Sequence, residues 1–367
     1  MGESRLHRLS KLGQSVWIDF LSRDLLQTGG LARKMEEDAV CGVTSNPTIF
    51  QKALSEGDAY DDQLRGLMRE DDPKEIFIAL ATKDVGDACD LLRPVWDGGQ
   101  GLRGYVSIEV DPTLAYETGK TLEQARRLHA SIERPNLYVK IPGTKEGLPA
   151  IEEMIASGRS INVTLIFSLE RHREVMKAYL RGLERLMEAG GDPSRVASVA
   201  SFFVSRVDTE ADRRLDELGG HSELKGRLAV ANAKLAYSNW REVFSGERWE
   251  RLAARGASKQ WCLWASTSTK NPDYSDVLYV ESLIGPQTVN TMPEETLEAV
   301  QDHGHVALTL EEGVEEAREL LERLAAAGVD YDDVTETLER EGVQKFADSF
   351  AELLDGIRGK RGELVSA

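Results

Sequence analysis

The chain has 367 residues, of which 41% are hydrophobic and 29% charged, enough to bury a sizeable core in one large domain or two ordinary ones. Lys+Arg 45 against Asp+Glu 63 leaves a formal net charge of -18, which argues against a nucleic-acid partner because affinity for a phosphate backbone needs a basic surface. No run approaches the roughly 18 apolar residues of a membrane span, and the opening segment Met1-Gly-Glu-Ser-Arg-Leu-His lacks the apolar core of a secretory leader.

Cys41, Cys89 and Cys262 sit in apolar surroundings without CxxC spacing, so they read as reduced, buried residues of a cytoplasmic protein. The histidines (His7, His129, His172, His221, His303, His305) include no HExxH. His303 and His305 flank a glycine, which suits a turn, and no metal site is expected.

Strand-like runs recur along the chain with helical patterns between them. Val16–Phe20 comes first, followed by helix from Leu21, then Ala39–Ser45, which runs into the turn signal Asn46-Pro47. Amphipathic helix covers Asp58–Leu92 with a break expected at Pro73. The runs Tyr105–Val110, Leu137–Ile141, Ile161–Phe167 and Val196–Val204 follow. After a helical insertion at about Glu210–Arg255 come Gln260–Ala265 and a short run Thr288–Met292. The remainder, from Pro293, is charged and helical in pattern.

Eight β-runs alternating with helices predict a parallel sheet, and that number points to an α/β protein of the (β/α)8 TIM-barrel class with additional helices. A doubly wound open sheet is the rival pattern. No linker or composition shift divides the chain, so a single domain over residues 1–367 is expected, with the insertion at about 210–255 and C-terminal helices at about 293–365. The run Gly99-Gln-Gly-Leu-Arg-Gly104 fits GxGxxG, but it follows a helical pattern and leads into a strand. That is the reverse of a dinucleotide-binding turn, and it reads as a loop.

Several polar residues occupy positions that a barrel strand would fill with Val or Leu. Lys140 lies between Val139 and Ile141 in Leu137-Tyr-Val-Lys-Ile-Pro-Gly-Thr144. A lysine in a strand either reaches solvent or a carboxylate at the strand end, or is a desolvated amine able to attack a carbonyl. Asp19 lies in the first run and Glu109 in the third. Asn162 and Thr164 alternate in the fifth, so period two puts both on one face. Ser201 and Arg206 end the sixth run, and Ser266 and Ser268 follow the seventh.

Each has a mundane account: Asp19 as a helix cap, Glu109 as an exposed strand end, Asn162 in a turn. Together they form a barrel interior holding an amine, two carboxylates, amide and hydroxyl groups and a cation, which is the set that Schiff-base chemistry requires.

The stretches VWIDFLSRDLL, GVTSNPTIF, VSIEVDPTLA, LYVKIPGT, INVTLIFS, SFFVSRVD and WASTSTKNP carry a resemblance to transaldolase in its longer bacterial form, over nearly the whole chain. The resemblance implies a (β/α)8 barrel of the class I aldolase kind, using no metal and no organic cofactor. It implies transfer of a dihydroxyacetone unit between sugar phosphates of the pentose phosphate pathway. Sedoheptulose 7-phosphate and glyceraldehyde 3-phosphate would give erythrose 4-phosphate and fructose 6-phosphate.

On this resemblance Lys140 is the Schiff-base lysine and Asp19 the proton acceptor at the C4 hydroxyl. Glu109 and Thr164 handle a proton-shuttling water, while Asn46, Asn162 and Ser201 bind the triose unit. Arg206 and Ser266 hold the phosphate. Many relatives carry an arginine shortly after the serine matching Ser266; here Ser268 or Lys270 must serve. Phe203 stands where a small aldolase branch tends to have tyrosine, which favours transfer over release of free dihydroxyacetone. An aldolase with the same lysine and a non-catalytic phosphosugar-binding barrel remain the alternatives.

Overall fold

A computed structural model describes residues 4–45, 47–99, 101 and 103–366. The apolar runs form eight strands: β1 (Gln14–Ile18), β2 (Val40–Thr44), β3 (Tyr105–Glu109), β4 (Leu137–Pro142), β5 (Ile161–Ile166), β6 (Ser198–Phe203), β7 (Trp261–Ala265) and β8 (Thr288–Met292). Strands of a parallel barrel are covered by helices outside and side chains inside, so they read as near-continuous apolar runs. Neighbours pair in chain order, and β8 closes on β1 with Gln14 opposite Thr288 and Ile18 opposite Met292. That closure excludes the open-sheet rival.

Boundaries differ from the sequence reading in places that matter. β1 stops at Ile18, so Asp19 lies just past the strand, its backbone N–H donating to the Met292 carbonyl at 3.1 Å. Ser201 is inside β6 rather than at its end, and Arg206 is in the first turn of the helix Ser205–Leu218. The helical material between β6 and β7 therefore begins before Glu210. It continues as Leu228–Val243 and Gly246–Ala253. Pro73 opens the helix Pro73–Gly98, where a proline loses nothing, and the Asp72 carboxylate accepts from the Lys74 N–H.

Inside the barrel, period two stacks the functional layer on aromatic rings. Tyr138 precedes Lys140 on the same face of β4, Tyr105 and Ser107 precede Glu109 on β3, and Trp17 precedes Asp19. The Tyr105 and Tyr138 rings are stacked with centroids 3.9 Å apart, and Trp17 lies 6.1 Å from Tyr138. These three rings fill the barrel below the polar layer. Gly42 on β2 makes room for them, since a Cβ there would enter the indole of Trp17.

Beyond β8 the chain forms helices Glu294–His303, Val314–Ala326 and a 36-residue final helix, Tyr331–Ser366. The final helix lies across the C-terminal mouth of the barrel. Gly342 lets it approach β5 closely, a Cβ there lying 3.1 Å from Leu165 Cδ2. Farther along, Phe350 meets Phe77 edge-on at 5.4 Å.

Gly42→Ala should lower unfolding stability by about 1–3 kcal/mol, the usual cost of overpacking a filled core. Urea unfolding at neutral pH reads this directly, and an unchanged midpoint would show that Trp17 relocates without strain.

Candidate active site

Strand register sets the first contacts. Lys140 on β4 stands opposite Glu109 on β3 and Asn162 on β5. Lys140 is only 7% exposed, and its Nζ donates to Glu109 Oε2 at 2.9 Å and to the Ser45 carbonyl at 3.2 Å. The amine is therefore not surrounded by apolar groups. It meets a carboxylate, itself buried rather than exposed at a strand end. The other Glu109 oxygen, Oε1, accepts from Thr164 Oγ1 at 3.2 Å. Thr164 keeps the regular β4–β5 register, opposite Pro142 and two residues past Asn162 on the same face. The β5–β6 register slips between Val163 and Ile166, and Leu165 takes the left-handed φ of 57°.

Asn162 is fully buried, its amide donating to Ser107 Oγ at 3.2 Å and its Oδ1 accepting from Ser201 Oγ at 2.7 Å. The amide belongs to a strand interior and not to a turn. Asn46 lies outside the described residues.

Asp19 caps nothing: the helix that follows, Arg23–Gln27, is capped by Ser22, whose hydroxyl accepts from the Leu25 N–H. Burial pushes the Asp19 carboxyl up to about 6, with Glu295 adding to the rise and Lys140 and Lys270 opposing it. Its Oδ1 has no hydrogen-bond partner among the described residues.

Asp19, Lys140, Thr164, Ser201, Phe203, Arg206, Ser266, Ser268 and Lys270 all border one cavity of about 280 Å³ at the C-terminal ends of the strands. Glu109 stands behind Lys140 and walls a smaller space of about 30 Å³ with Ser45, Val110 and Phe350. Arg206 lies over the Phe203 ring at 5.4 Å. Burial lowers its proton affinity from the usual guanidinium range, and its Nη1 is buried without a partner among the described residues. A desolvated guanidinium with an unmet donor calls for an anion.

Beside it, Ser266 takes a left-handed φ of 56°, which sets its hydroxyl 3.0 Å from Ser205 Oγ. A non-glycine residue held there stores strain of a kind that gathers at ligand sites. Lys270 Nζ donates to Ser268 Oγ at 2.6 Å. The two border the cavity as a pair.

Glu295, Lys345, Phe346 and Ser349 also border the cavity, and sequence reasoning did not single them out. The last three lie on one face of the final helix. Their only signal is an aromatic between polar residues, which does not separate a cavity wall from an ordinary amphipathic helix. Among the described residues no group of three or more His, Cys, Asp or Glu side chains is placed to hold a metal ion. His303 meets Asp276 and Asp302 at the end of its helix.

Because burial pushes the folded Asp19 carboxyl up to about 6 from its ordinary value of 3.8, its ionisation opposes folding. The cost is absent below about pH 4, grows as pH rises, and is complete above about pH 6, reaching on the order of 3 kcal/mol. Asp19→Asn should therefore unfold at higher denaturant than the parent at pH 7, with the gain vanishing toward pH 4. A gain that stays constant with pH would show that the ionised carboxylate is not its source.

The family model described as transaldolase/fructose-6-phosphate aldolase matches residues 16–357. Transaldolase of Parafrankia is 53% identical over 365 residues, covering 98% of this chain and 99% of the relative. That of Acidothermus cellulolyticus is 54% identical over 355 residues, with 96% and 95% covered. Transaldolase of Mycobacterium tuberculosis is 52% identical over 358 residues, 96% of each chain. With a closed eight-stranded barrel and a lysine–carboxylate pair at the ends of its strands, the chain belongs to the transaldolase/fructose-6-phosphate aldolase family.

Proposed function

We propose that this protein is a transaldolase that moves a dihydroxyacetone unit between sugar phosphates through a Schiff base on Lys140. The observation that carries the reading is Lys140 held by Glu109 beside a cavity that also takes in the Asp19 carboxyl and the Arg206 guanidinium, whose Nη1 has no partner among the described residues. The Lys140 ammonium passes a proton to Glu109, and the freed amine attacks the C2 carbonyl of the ketose. Glu109, oriented by Thr164, returns the proton to the departing hydroxyl, so that water leaves and the imine forms.

Asp19 accepts the proton of the C4 hydroxyl as the C3–C4 bond breaks. The aldehyde half departs and the three-carbon enamine stays on Lys140. Attack of this enamine on an acceptor aldehyde reverses the steps, with Asp19 giving the proton back. Ser201, aligned by Asn162, faces the bound triose, together with Asn46 in the family's role. At the other end Arg206, Ser266 and the Lys270–Ser268 pair hold the phosphate, the guanidinium meeting two oxygens at once. Phe203 borders the cavity with a ring that offers no hydroxyl to activate water, which favours an enamine that waits for an aldehyde.

The barrel and the helices around it act as one unit in this reading. No helix of the described residues is long and apolar enough to cross a membrane, and the three cysteines are buried and free. Both features suit work in the cytoplasm on soluble sugar phosphates.

Glyceraldehyde 3-phosphate release from fructose 6-phosphate, measured with and without erythrose 4-phosphate, tests the reading. Release should require the acceptor; equal release without it would make the protein an aldolase, and none in either case would leave a binding barrel. Lys140→Ala should abolish borohydride trapping of donor while leaving the fold intact. Asp19→Ala should still trap donor but cleave it about 10²- to 10⁴-fold more slowly. In the parent, kcat/KM for cleavage should rise with pH through about 6, because Asp19 must be ionised to accept a proton. Cleavage by Asp19→Ala at the parent rate would remove Asp19 from the chemistry.

A further inference from the structure

Four cations border the main cavity: Lys140, Arg206, Lys270 and Lys345. Lys140 is engaged with Glu109 and Ser45, which leaves three for an anionic ligand. Arg206 and Lys270 come from the ends of β6 and β7. Lys345 comes from the final helix, remote in sequence, and nothing in the strand pattern points to it.

Two contacts put Lys345 at the Arg206 end of the cavity. Arg206 lies over the Phe203 ring, and the Phe203 ring lies 6.5 Å from that of Phe346, the residue next to Lys345. The Glu341 carboxylate is also near enough to Arg206 to favour its charged form, and Lys345 Nζ pairs with Glu341 Oε2 at 3.0 Å. An exposed lysine–glutamate pair one helical turn apart contributes only a few tenths of a kcal/mol, so a stronger anion displaces it at little cost. The lysine stem is flexible and its ammonium is a compact charge able to swing between partners.

We propose that Lys345 is a third phosphate-binding cation, which leaves Glu341 for the phosphate of the bound sugar and so ties that phosphate to the final helix. A phosphate monoester carries a charge of about -1.5 to -2 at neutral pH, and Arg206 with Lys270 supplies two positive charges in a chain whose net charge is -18. Lys345 adds local positive charge where the chain as a whole repels anions. Substrates without phosphate leave Lys345 on Glu341 and gain nothing from the helix. The residue therefore sets preference for phosphorylated over unphosphorylated sugars. This role rests on the transaldolase reading.

The test compares the parent with Lys345→Gln and Lys345→Arg, using fructose 6-phosphate and fructose as donors and inorganic phosphate as a competing ligand. For Lys345→Gln the kcat/KM ratio of phosphorylated to unphosphorylated donor should fall about 5- to 20-fold. The loss should fall on KM rather than kcat, and inhibition by phosphate should weaken by a similar factor. Lys345→Arg should restore most of both, and Glu341→Gln should tighten phosphate inhibition. If the parent traps donor with borohydride but the ratio and phosphate inhibition are unchanged in Lys345→Gln, the role of Lys345 is overturned alone. If the parent forms no borohydride adduct, the reading beneath it falls.

Discussion

A lysine and a glutamate opposite each other in adjacent parallel strands, buried and 2.9 Å apart, constrain everything built around them. Removing two charges from water is costly, and only close geometry with further hydrogen bonds offsets it. The barrel supplies those bonds from neighbouring strands: the Ser45 carbonyl just past β2 and the Thr164 hydroxyl of β5. Stacked tyrosines lie beneath, and Lys140 borders the cavity above while Glu109 walls the smaller space beside it.

Around the pair, the site holds groups that a merely stable protein would avoid. Among the described residues the Asp19 carboxyl is buried with an unpartnered oxygen and the Arg206 guanidinium is desolvated with an unmet donor, and Ser266 sits in a left-handed conformation. Each opposes folding by itself. Destabilised groups gathered in one cavity are the usual mark of a site shaped for a ligand rather than for stability. By contrast, Asp208 is also pushed up by burial, to about 7, but it accepts from the Ala229 N–H and the Tyr279 hydroxyl, and those contacts tie helices together.

The final helix converts an open barrel mouth into a bounded cavity. It does so by close approach at Gly342 and by aromatic contacts of Phe346 and Phe350 with rings rooted in the barrel and the helix Pro73–Gly98. Its polar face toward the cavity carries Lys345 and Ser349, so the same element excludes water and offers charge.

The local pattern of the chain determined the barrel and marked the polar residues within its strands. Strands buried on both faces must be apolar, so Lys140, Glu109, Asn162 and Thr164 stood out as exceptions, and period two put Asn162 and Thr164 on one face. Strand ends were less legible. Val16–Phe20 is apolar enough to continue the strand through Asp19, and only pairing with β8 shows that it stops at Ile18. The chemistry of the cavity's far wall was not legible at all. Lys345 and Glu341 are spaced like any solvated helical pair, and what brings Lys345 to the cavity is the packing of its helix against strands far away in sequence, seen in the Phe346–Phe203 contact. Register and closure decide which side chains meet across the barrel, and helix docking decides which meet above it. Neither is a property of a local stretch of residues; both follow from how the whole chain packs.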